Sequence, residues 1–115
     1  MHRDLKSQNV FCTKKGIVKL GDFGIARVLS NTRSKAKTVV GTPYYLSPEI
    51  IKSESYSFKS DIWSLGVLLY EMAALTPPFN AGSLHQLAQK IIQGQYAPLP
   101  SHFSPAVTNL VSMML

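Results

Sequence analysis

Residues 59–75 constrain the fold more than any other part of the chain, because they predict a long helix without a polar face. Ser57 supplies an N-cap, and Pro77 and Pro78 end the helix since proline cannot continue it. A helix that is apolar all round is buried on every side. We expect the fold to be built around this helix, which 115 residues can hardly surround. Its apolar residues are Ile62, Trp63, Leu65, Val67, Leu68, Leu69, Tyr70, Met72, Ala73 and Ala74.

A β-hairpin is predicted near the start of the chain. Residues 10–13 and 17–20 are short β-prone runs, and residues 14–16, Lys-Lys-Gly, form a turn sequence between them. Pairing of the two runs returns the chain on itself. The hairpin should therefore bring Asp22 back beside Asn9.

Three more helices are predicted from caps and apolar spacing. Pro48 occupies a first helical position and starts a short helix through residue 52. Residues 83–93 form a second helix that Gly94 ends, and a third starts near Ser104 and reaches the chain end without a stop signal, as if cut. The apolar residues expected to face the core from the last two helices are Leu84, Leu87, Ala88, Ile91, Ile92, Val107, Leu110, Val111 and Met114.

Composition excludes several broad classes of protein. A hydrophobic content of 45% argues against disorder, and the length suits one domain. The single cysteine, Cys12, cannot form an internal disulfide and fits a reducing compartment. No signal peptide is evident, and the longest apolar stretch is shorter than the roughly 20 residues that span a bilayer. We expect a cytosolic or nuclear protein with no membrane partner.

The net charge of +6 raises the question of nucleic-acid binding. The basic residues are not interleaved with aromatic residues in a stripe, so we expect no nucleic-acid partner. They are instead concentrated in the first third of the chain. Nine of the twelve lie before residue 38, namely Arg3, Lys6, Lys14, Lys15, Lys19, Arg27, Arg33, Lys35 and Lys37.

Four short motifs follow one another at fixed spacing. They are His-Arg-Asp-Leu-Lys-Ser-Gln-Asn at residues 2–9, Asp-Phe-Gly at 22–24, Gly-Thr-Pro at 41–43 and Ser-Pro-Glu at 47–49. A lone Asp is usually a cap and a lone Asn a turn residue, so order and spacing carry the signal. Five fixed letters of the first motif coincide by chance on the order of once per 10⁶ starting positions. A chance match therefore does not account for this motif.

In this order the motifs resemble the catalytic loop, metal-binding turn and activation segment of protein kinases. The wider wording of residues 2–49 is similar to the NIMA-related serine/threonine kinases. The resemblance implies an α+β, protein-kinase-like fold in which residues 1–115 are a partial catalytic domain, mainly the α-helical C-terminal lobe. No Gly-rich loop, strand lysine or helix glutamate of the N-terminal lobe occurs here. Such relatives imply a cytoplasmic, cytoskeletal, centrosomal or nuclear location.

The resemblance implies three catalytic residues. Asp4 would orient a substrate hydroxyl and accept its proton. Lys6 would lie against the transferring phosphate, a position that tyrosine kinases usually do not fill with lysine. Thr42 would bridge Asp4 and Lys6 through its hydroxyl. Together they favour ATP-dependent phosphoryl transfer to serine or threonine of a protein substrate.

ATP and Mg²⁺ are the implied cofactors. Lys6, Asn9 and Asp22 are the expected cofactor-binding residues. Asn9 and Asp22 would also bind the metal, because an amide oxygen and a carboxylate are hard oxygen ligands that suit Mg²⁺.

An activation-loop phosphorylation site is implied at Thr38, modified by an upstream kinase or by autophosphorylation. Arg3 and Arg27 would face the phosphate and order the loop through charge-assisted hydrogen bonds. The alternative is that Thr38 is only a solvated loop residue.

Five further motif residues are expected to be structural. His2 would pack with Phe23, and Gly24 would allow the sharp turn that follows. Asp61 would hydrogen-bond the backbone of the catalytic loop. Glu49 normally pairs with an arginine from a later helix in the family, and no arginine follows residue 33 here.

Three aromatic side chains near these motifs are expected to serve packing. Tyr44 and Tyr45 follow the Gly-Thr-Pro motif and Trp63 belongs to the predicted long helix, and packing is a commoner role than recognition for such residues.

Two classes of function follow. The chain is the middle of a longer serine/threonine kinase, or it is an inactive kinase fragment that binds another protein. The first is favoured, because a binding module need not keep every catalytic residue. In either case we expect the isolated chain neither to transfer phosphate at a useful rate nor to melt cooperatively.

Overall fold

The computed structural model describes residues 1–22 and 43–115. In these residues a short 3₁₀ turn and two strands come first, and four helices follow. The turn is Ser7–Asn9, the strands are β1 (Val10–Cys12) and β2 (Val18–Leu20), and the helices are α1 (Pro48–Ile51), α2 (Phe58–Ala74), α3 (Leu84–Gln93) and α4 (Pro105–Met114). The described chain thus has the mixed, mainly helical content expected from the sequence.

The predicted hairpin is present. β1 and β2 pair antiparallel, with Val10 opposite Leu20. Gly16 in the turn has a φ of 76°, a left-handed conformation that glycine adopts without strain. Pairing continues one step past the strands, since the Gly21 N–H donates to the Asn9 carbonyl at 2.9 Å. The end of the hairpin therefore lies beside the turn that precedes β1.

The predicted long helix is α2, which lies one residue earlier at each end than the sequence indicates. Its N-terminus is a capping box: Ser57 Oγ accepts from the Lys59 N–H, and Ser60 Oγ accepts from the Ser57 N–H, each at 3.2 Å. Leu75 follows the helix in a left-handed conformation, with a φ of 59°. Among the described residues no helix is both long and apolar enough to cross a membrane.

Burial of α2 is one-sided in the described part of the chain. Trp63, Val67, Leu68 and Tyr70 are buried. The prediction that α2 is buried on every side is therefore wrong for the described residues. A chain of 115 residues is too short to surround this helix. The apolar side chains of α2 that stay exposed are Phe58, Ile62, Leu65 and Met72.

Two apolar clusters lie on the buried side of α2. In the first, Trp63 stacks on Phe79 with ring centroids 5.6 Å apart, and Leu87 and Ile91 of α3 complete it. In the second, Tyr70 packs with Leu99 and with Val111 of α4. Tyr96 joins the two clusters, because its ring meets Phe79 and Tyr70 edge to face.

The two C-terminal helices have the predicted bounds but narrower buried faces. Leu87 and Ile91 are one helical turn apart and point into the core, as predicted. The prediction is wrong for Leu84, Ile92 and Leu110, which are 61%, 43% and 45% exposed. An apolar stripe wider than the surface it contacts leaves its margins in solvent.

Helices α2 and α4 approach each other closely at Gly66. A Cβ built on Gly66 would lie 2.6 Å from Cβ of Met114 and 3.1 Å from Cδ2 of Leu115. Only a residue without a side chain fits this contact. Gly66 therefore sets the distance between the two helices.

Candidate active site

Asp61, in the first turn of α2, holds the start of the motif at residues 2–9. Its Oδ2 accepts from the His2 N–H at 2.8 Å and its Oδ1 accepts from the Arg3 N–H at 2.9 Å. Burial opposes the charge of Asp61, but hydrogen bonds from Tyr56 and the two backbone groups outweigh it and lower the pKa of the carboxyl. These are the backbone contacts that the sequence predicts for Asp61.

Tyr56 is a partner of this carboxylate that the sequence analysis missed. Its hydroxyl donates to Asp61 Oδ1 at 2.5 Å, and burial together with this bond raises the pKa of Tyr56. The Arg3 guanidinium lies over the same ring, 5.9 Å from its centroid, within range of a cation–π contact. Tyr56 thus contacts both Asp61 and Arg3 and helps to hold them in place. No motif in the sequence marks it.

Arg3 has an unusual backbone conformation, with a φ of 70°. A left-handed conformation costs a non-glycine residue about 1–2 kcal/mol, so the surrounding contacts must impose it. The hydrogen bond of the Arg3 N–H to Asp61 is one such contact. The phosphate-facing role of Arg3 stays a prediction, because Arg27 and Thr38 lie outside the described residues.

His2 connects the start of the motif to the end of the hairpin. The side chain is buried, with its Nδ1 accepting from the Asp4 N–H at 3.3 Å and its Nε2 2.9 Å from the Gly21 carbonyl oxygen. A carbonyl only accepts, so Nε2 carries a proton and donates it to the Gly21 carbonyl. The predicted packing of His2 on Phe23, and the turn at Gly24, lie outside the described residues.

Asp4, Lys6 and Asn9 come together on this scaffold. Lys6 Nζ lies 3.0 Å from Asp4 Oδ2. Asn9 Nδ2 donates to the Asp4 carbonyl at 2.7 Å and to Asp4 Oδ2 at 3.2 Å. The side chains of Lys6 and Asp4 are 35% and 28% exposed, so the carboxylate is held and still reachable. Thr42, the expected third catalytic residue, lies outside the described residues.

Asn9 and Asp22 fit the oxygen chemistry that Mg²⁺ requires. Asn9 uses its amide nitrogen toward Asp4, so its amide oxygen remains the atom suited to a cation. The Gly21–Asn9 backbone bond brings the exposed Asp22 to the same end of the hairpin. In residues 1–22 and 43–115 no group of three metal-ligating side chains occurs. Two oxygen ligands suit a Mg²⁺ that takes its other ligands from phosphate and water.

A cavity of about 80 Å³ opens beside Asp4, lined also by Arg3, Tyr45, Tyr56 and Ser64. A nucleotide-sized ligand needs a pocket of roughly 300 Å³ or more. The cavity beside Asp4 is therefore too small to hold a nucleoside.

Glu49 is bonded to α2. Ser60 Oγ donates to Glu49 Oε1 at 2.5 Å. Burial opposes the charge of Glu49, but this hydrogen bond, together with other hydrogen bonds to the carboxylate and the nearby charge of Lys52, outweighs burial and lowers the pKa of the carboxyl. The bond ties α1 to the capping box of α2. The family resemblance implies an arginine partner for Glu49. The serine partner, Ser60, was not predicted from the sequence.

The whole chain, residues 1–115, matches the protein kinase domain. The chain therefore belongs to the protein kinase family.

Its relatives within that family are Nek serine/threonine-protein kinases, which confirms the resemblance seen in the motifs. It is 53% identical to Nek1 of Mus musculus over 114 residues, which are 99% of this chain and 10% of that protein. It is 54% identical to human Nek2 over 115 residues, 100% of this chain and 26% of that protein. For human Nek5 the identity is 52% over 115 residues, 99% of this chain and 16% of that protein. The chain thus spans between 10% and 26% of the lengths of these relatives.

Proposed function

We propose that the protein carrying this chain transfers the terminal phosphoryl group of ATP to serine or threonine hydroxyls of protein substrates. Its relatives Nek1 and Nek2 are named serine/threonine-protein kinases. In this proposal the chain supplies the catalytic loop and helices of the C-terminal lobe. One observation carries the proposal: the Asp4 carboxylate is held by Lys6 and Asn9 on a loop whose backbone Asp61 fixes.

Asp4 acts on the substrate hydroxyl. Its carboxylate accepts a hydrogen bond from the hydroxyl, orients the oxygen toward the terminal phosphorus and takes up the proton as the new P–O bond forms. The bond between that phosphorus and the bridging oxygen of ATP breaks, and ADP leaves with the electron pair. Because the transition state is loose, positioning contributes more than the basicity of Asp4.

Lys6 and Asn9 prepare Asp4 for this role. The ammonium group of Lys6 offsets the charge of Asp4, so the anionic phosphoryl group can approach it. Asn9 donates a hydrogen bond to the same carboxylate oxygen that Lys6 contacts. Asn9 and Asp22 would hold Mg²⁺, which supplies charge neutralisation to the phosphates when bound.

The experiment compares Lys6→Ala with Lys59→Ala, an exposed lysine at the start of α2. The protein that carries this chain, at whatever length it occurs in the cell, is given labelled MgATP and peptide libraries with a Ser, Thr or Tyr acceptor. We expect labelling of the Ser and Thr libraries, a loss on the order of a hundredfold in Lys6→Ala and little change in Lys59→Ala. Labelling of the Tyr library alone, or equal rates in the two variants, would contradict the proposal.

A further inference from the structure

Tyr45 lies between the catalytic loop and α2. Its hydroxyl oxygen is 3.1 Å from Ser7 Oγ and 3.3 Å from the Ser7 backbone nitrogen. The same hydroxyl hydrogen-bonds the carboxylate of Glu71. Three segments of the chain, far apart in sequence, therefore meet at one oxygen atom.

The donors and acceptors at this atom balance in only one way. A phenol carries one proton and a carboxylate only accepts, so Tyr45 donates to Glu71. The Tyr45 oxygen then accepts from the Ser7 N–H and the Ser7 hydroxyl, which uses both lone pairs. Ser7 thus presents two donors to Tyr45. A residue without a side-chain hydroxyl or a backbone N–H could not do so.

The environment keeps Tyr45 in its phenol form. Burial and the hydrogen bond to Glu71 raise its pKa, while the bonds from Ser7 oppose them less strongly. Its ring packs against the cluster of Trp63 and Phe79, as the sequence analysis expected of it. The ring is therefore fixed by packing, and the hydroxyl by Glu71.

In the chain, Ser7 lies between Lys6 and Asn9, the two residues whose side chains contact Asp4. Lys6 precedes it, and the Lys6 carbonyl accepts from the Asn9 N–H at 3.0 Å across the 3₁₀ turn. A displacement of Ser7 therefore moves both groups that hold the Asp4 carboxylate. The turn is three residues long, and the hydrogen bonds within a 3₁₀ turn have poor geometry.

We propose that Tyr45 is a positioning residue, whose hydroxyl clamps Ser7 of the catalytic loop to Glu71 of α2 and so keeps Lys6 and Asn9 on Asp4. This inference deepens the proposed function and rests on it for its effect on rate. The clamp itself is a property of the fold, and can be measured without any activity.

The test uses Tyr45→Phe, Ser7→Ala and their combination in the protein that carries this chain. Tyr44→Phe is the matched control, because it removes a neighbouring phenol hydroxyl. Phenylalanine keeps the ring packing of Tyr45, so the variant should fold. Two quantities are measured: amide hydrogen exchange in peptides covering residues 4–9, and kcat and KM for MgATP-dependent peptide phosphorylation.

We expect Tyr45→Phe to speed exchange at residues 4–9 and to lower kcat on the order of tenfold, with KM for ATP nearly unchanged. Adding Ser7→Ala should cause little further loss, since the two side chains act through one contact. Tyr44→Phe should change neither quantity.

Exchange and kcat in Tyr45→Phe equal to those of Tyr44→Phe would overturn the proposal, and so would faster exchange with an unchanged kcat. Faster exchange in a protein whose wild type labels no substrate would support the clamp and contradict the proposed function. The two failures are therefore distinguishable.

Discussion

Asp61 holds the motif at residues 2–9 through the backbone N–H groups of His2 and Arg3. A carboxylate that accepts backbone bonds fixes the path of the chain, whatever side chains the loop carries. Tyr56 then fixes the carboxylate by donating to the same oxygen as Arg3. The position of Asp4 thus depends on residues more than fifty positions away in sequence.

Tyr56→Phe tests this dependence at the residue scale. The variant keeps the ring under Arg3 and removes the hydroxyl that donates to Asp61. A hydrogen bond to a charged group contributes about 1.5–3 kcal/mol, and partial exposure of this site lowers our expectation to about 1 kcal/mol. The measurement is the urea midpoint of the protein that carries this chain. Tyr96→Phe is the control, and an equal shift in both variants would contradict the prediction.

The lowered pKa of Asp61 predicts a pH dependence of stability. The ordinary value is 3.8 and the folded value lies below it. Asp61 therefore takes up its proton at a higher pH in the unfolded chain than in the folded chain. Its contribution to the free energy of unfolding is complete above the ordinary pKa and is lost as the pH falls through the folded pKa. Asp61→Asn should melt below wild type near pH ~7, and the gap should shrink as the pH falls below 3.8. Thermal midpoints across pH measure it, with Glu54→Gln as control; a constant gap would refute this origin.

The end of α2 is a strained element. Leu75 has a φ of 59° and is 86% exposed, so its side chain contributes little packing. Glycine adopts this conformation without the steric cost that leucine carries.

Leu75→Gly should therefore stabilise the protein by about 0.5–1 kcal/mol, the left-handed strain less the extra flexibility of unfolded glycine. Leu75→Ala is the control, since alanine keeps the strain and loses the same exposed side chain. Chemical denaturation of the two variants measures the difference. A glycine variant no more stable than the alanine variant would show that no strain is stored there.

Local sequence signals predicted the helices and strands. Tertiary contacts determine which face of each helix is buried. Caps such as Ser57 and Gly94 act within one turn, so the helix bounds followed from sequence. The exposed Leu84 and Leu110 were unpredictable, because an apolar residue packs only where a neighbouring element covers it.

The contacts of the candidate site also divide into local ones, which the sequence predicted, and long-range ones, which it did not. Motif spacing brought together Asp4, Lys6 and Asn9, whose contacts span at most five residues. The hydroxyls of Tyr45, Tyr56 and Ser60 were missed as contacts. Tyr45 and Ser60 reach their carboxylates across 26 and 11 residues, and no local pattern encodes such pairs.

The hairpin and α2 are two of the surfaces on which the described residues expose apolar side chains. In the hairpin, Phe11 and Val18 are 56% and 64% exposed. In α2, Met72 is 62% exposed. Exposed apolar patches are typical of surfaces that another part of a protein covers, and they favour aggregation when bare.

We therefore expect the 115-residue chain, expressed alone, to bind an apolar dye such as ANS and to melt without a cooperative transition. Any longer protein that contains it should bind less dye per chain. Fluorescence titration and calorimetry of both samples provide the comparison. A sharp calorimetric transition of the isolated chain, without dye binding, would contradict the expectation.

The measurement that tests the central claim most directly is the rate of phosphoryl transfer by Asp4→Asn in the protein that carries this chain. Glu54→Gln is the matched control, because it also converts one carboxylate to an amide, on an exposed residue. Asp4→Asn should lower kcat by about 10²–10⁴-fold, because the carboxylate that both orients the substrate hydroxyl and accepts its proton is lost, and Glu54→Gln should leave kcat unchanged. Asp4→Asn with wild-type kcat would contradict the account, since the carboxylate that Lys6 and Asn9 hold would then take no part in the reaction.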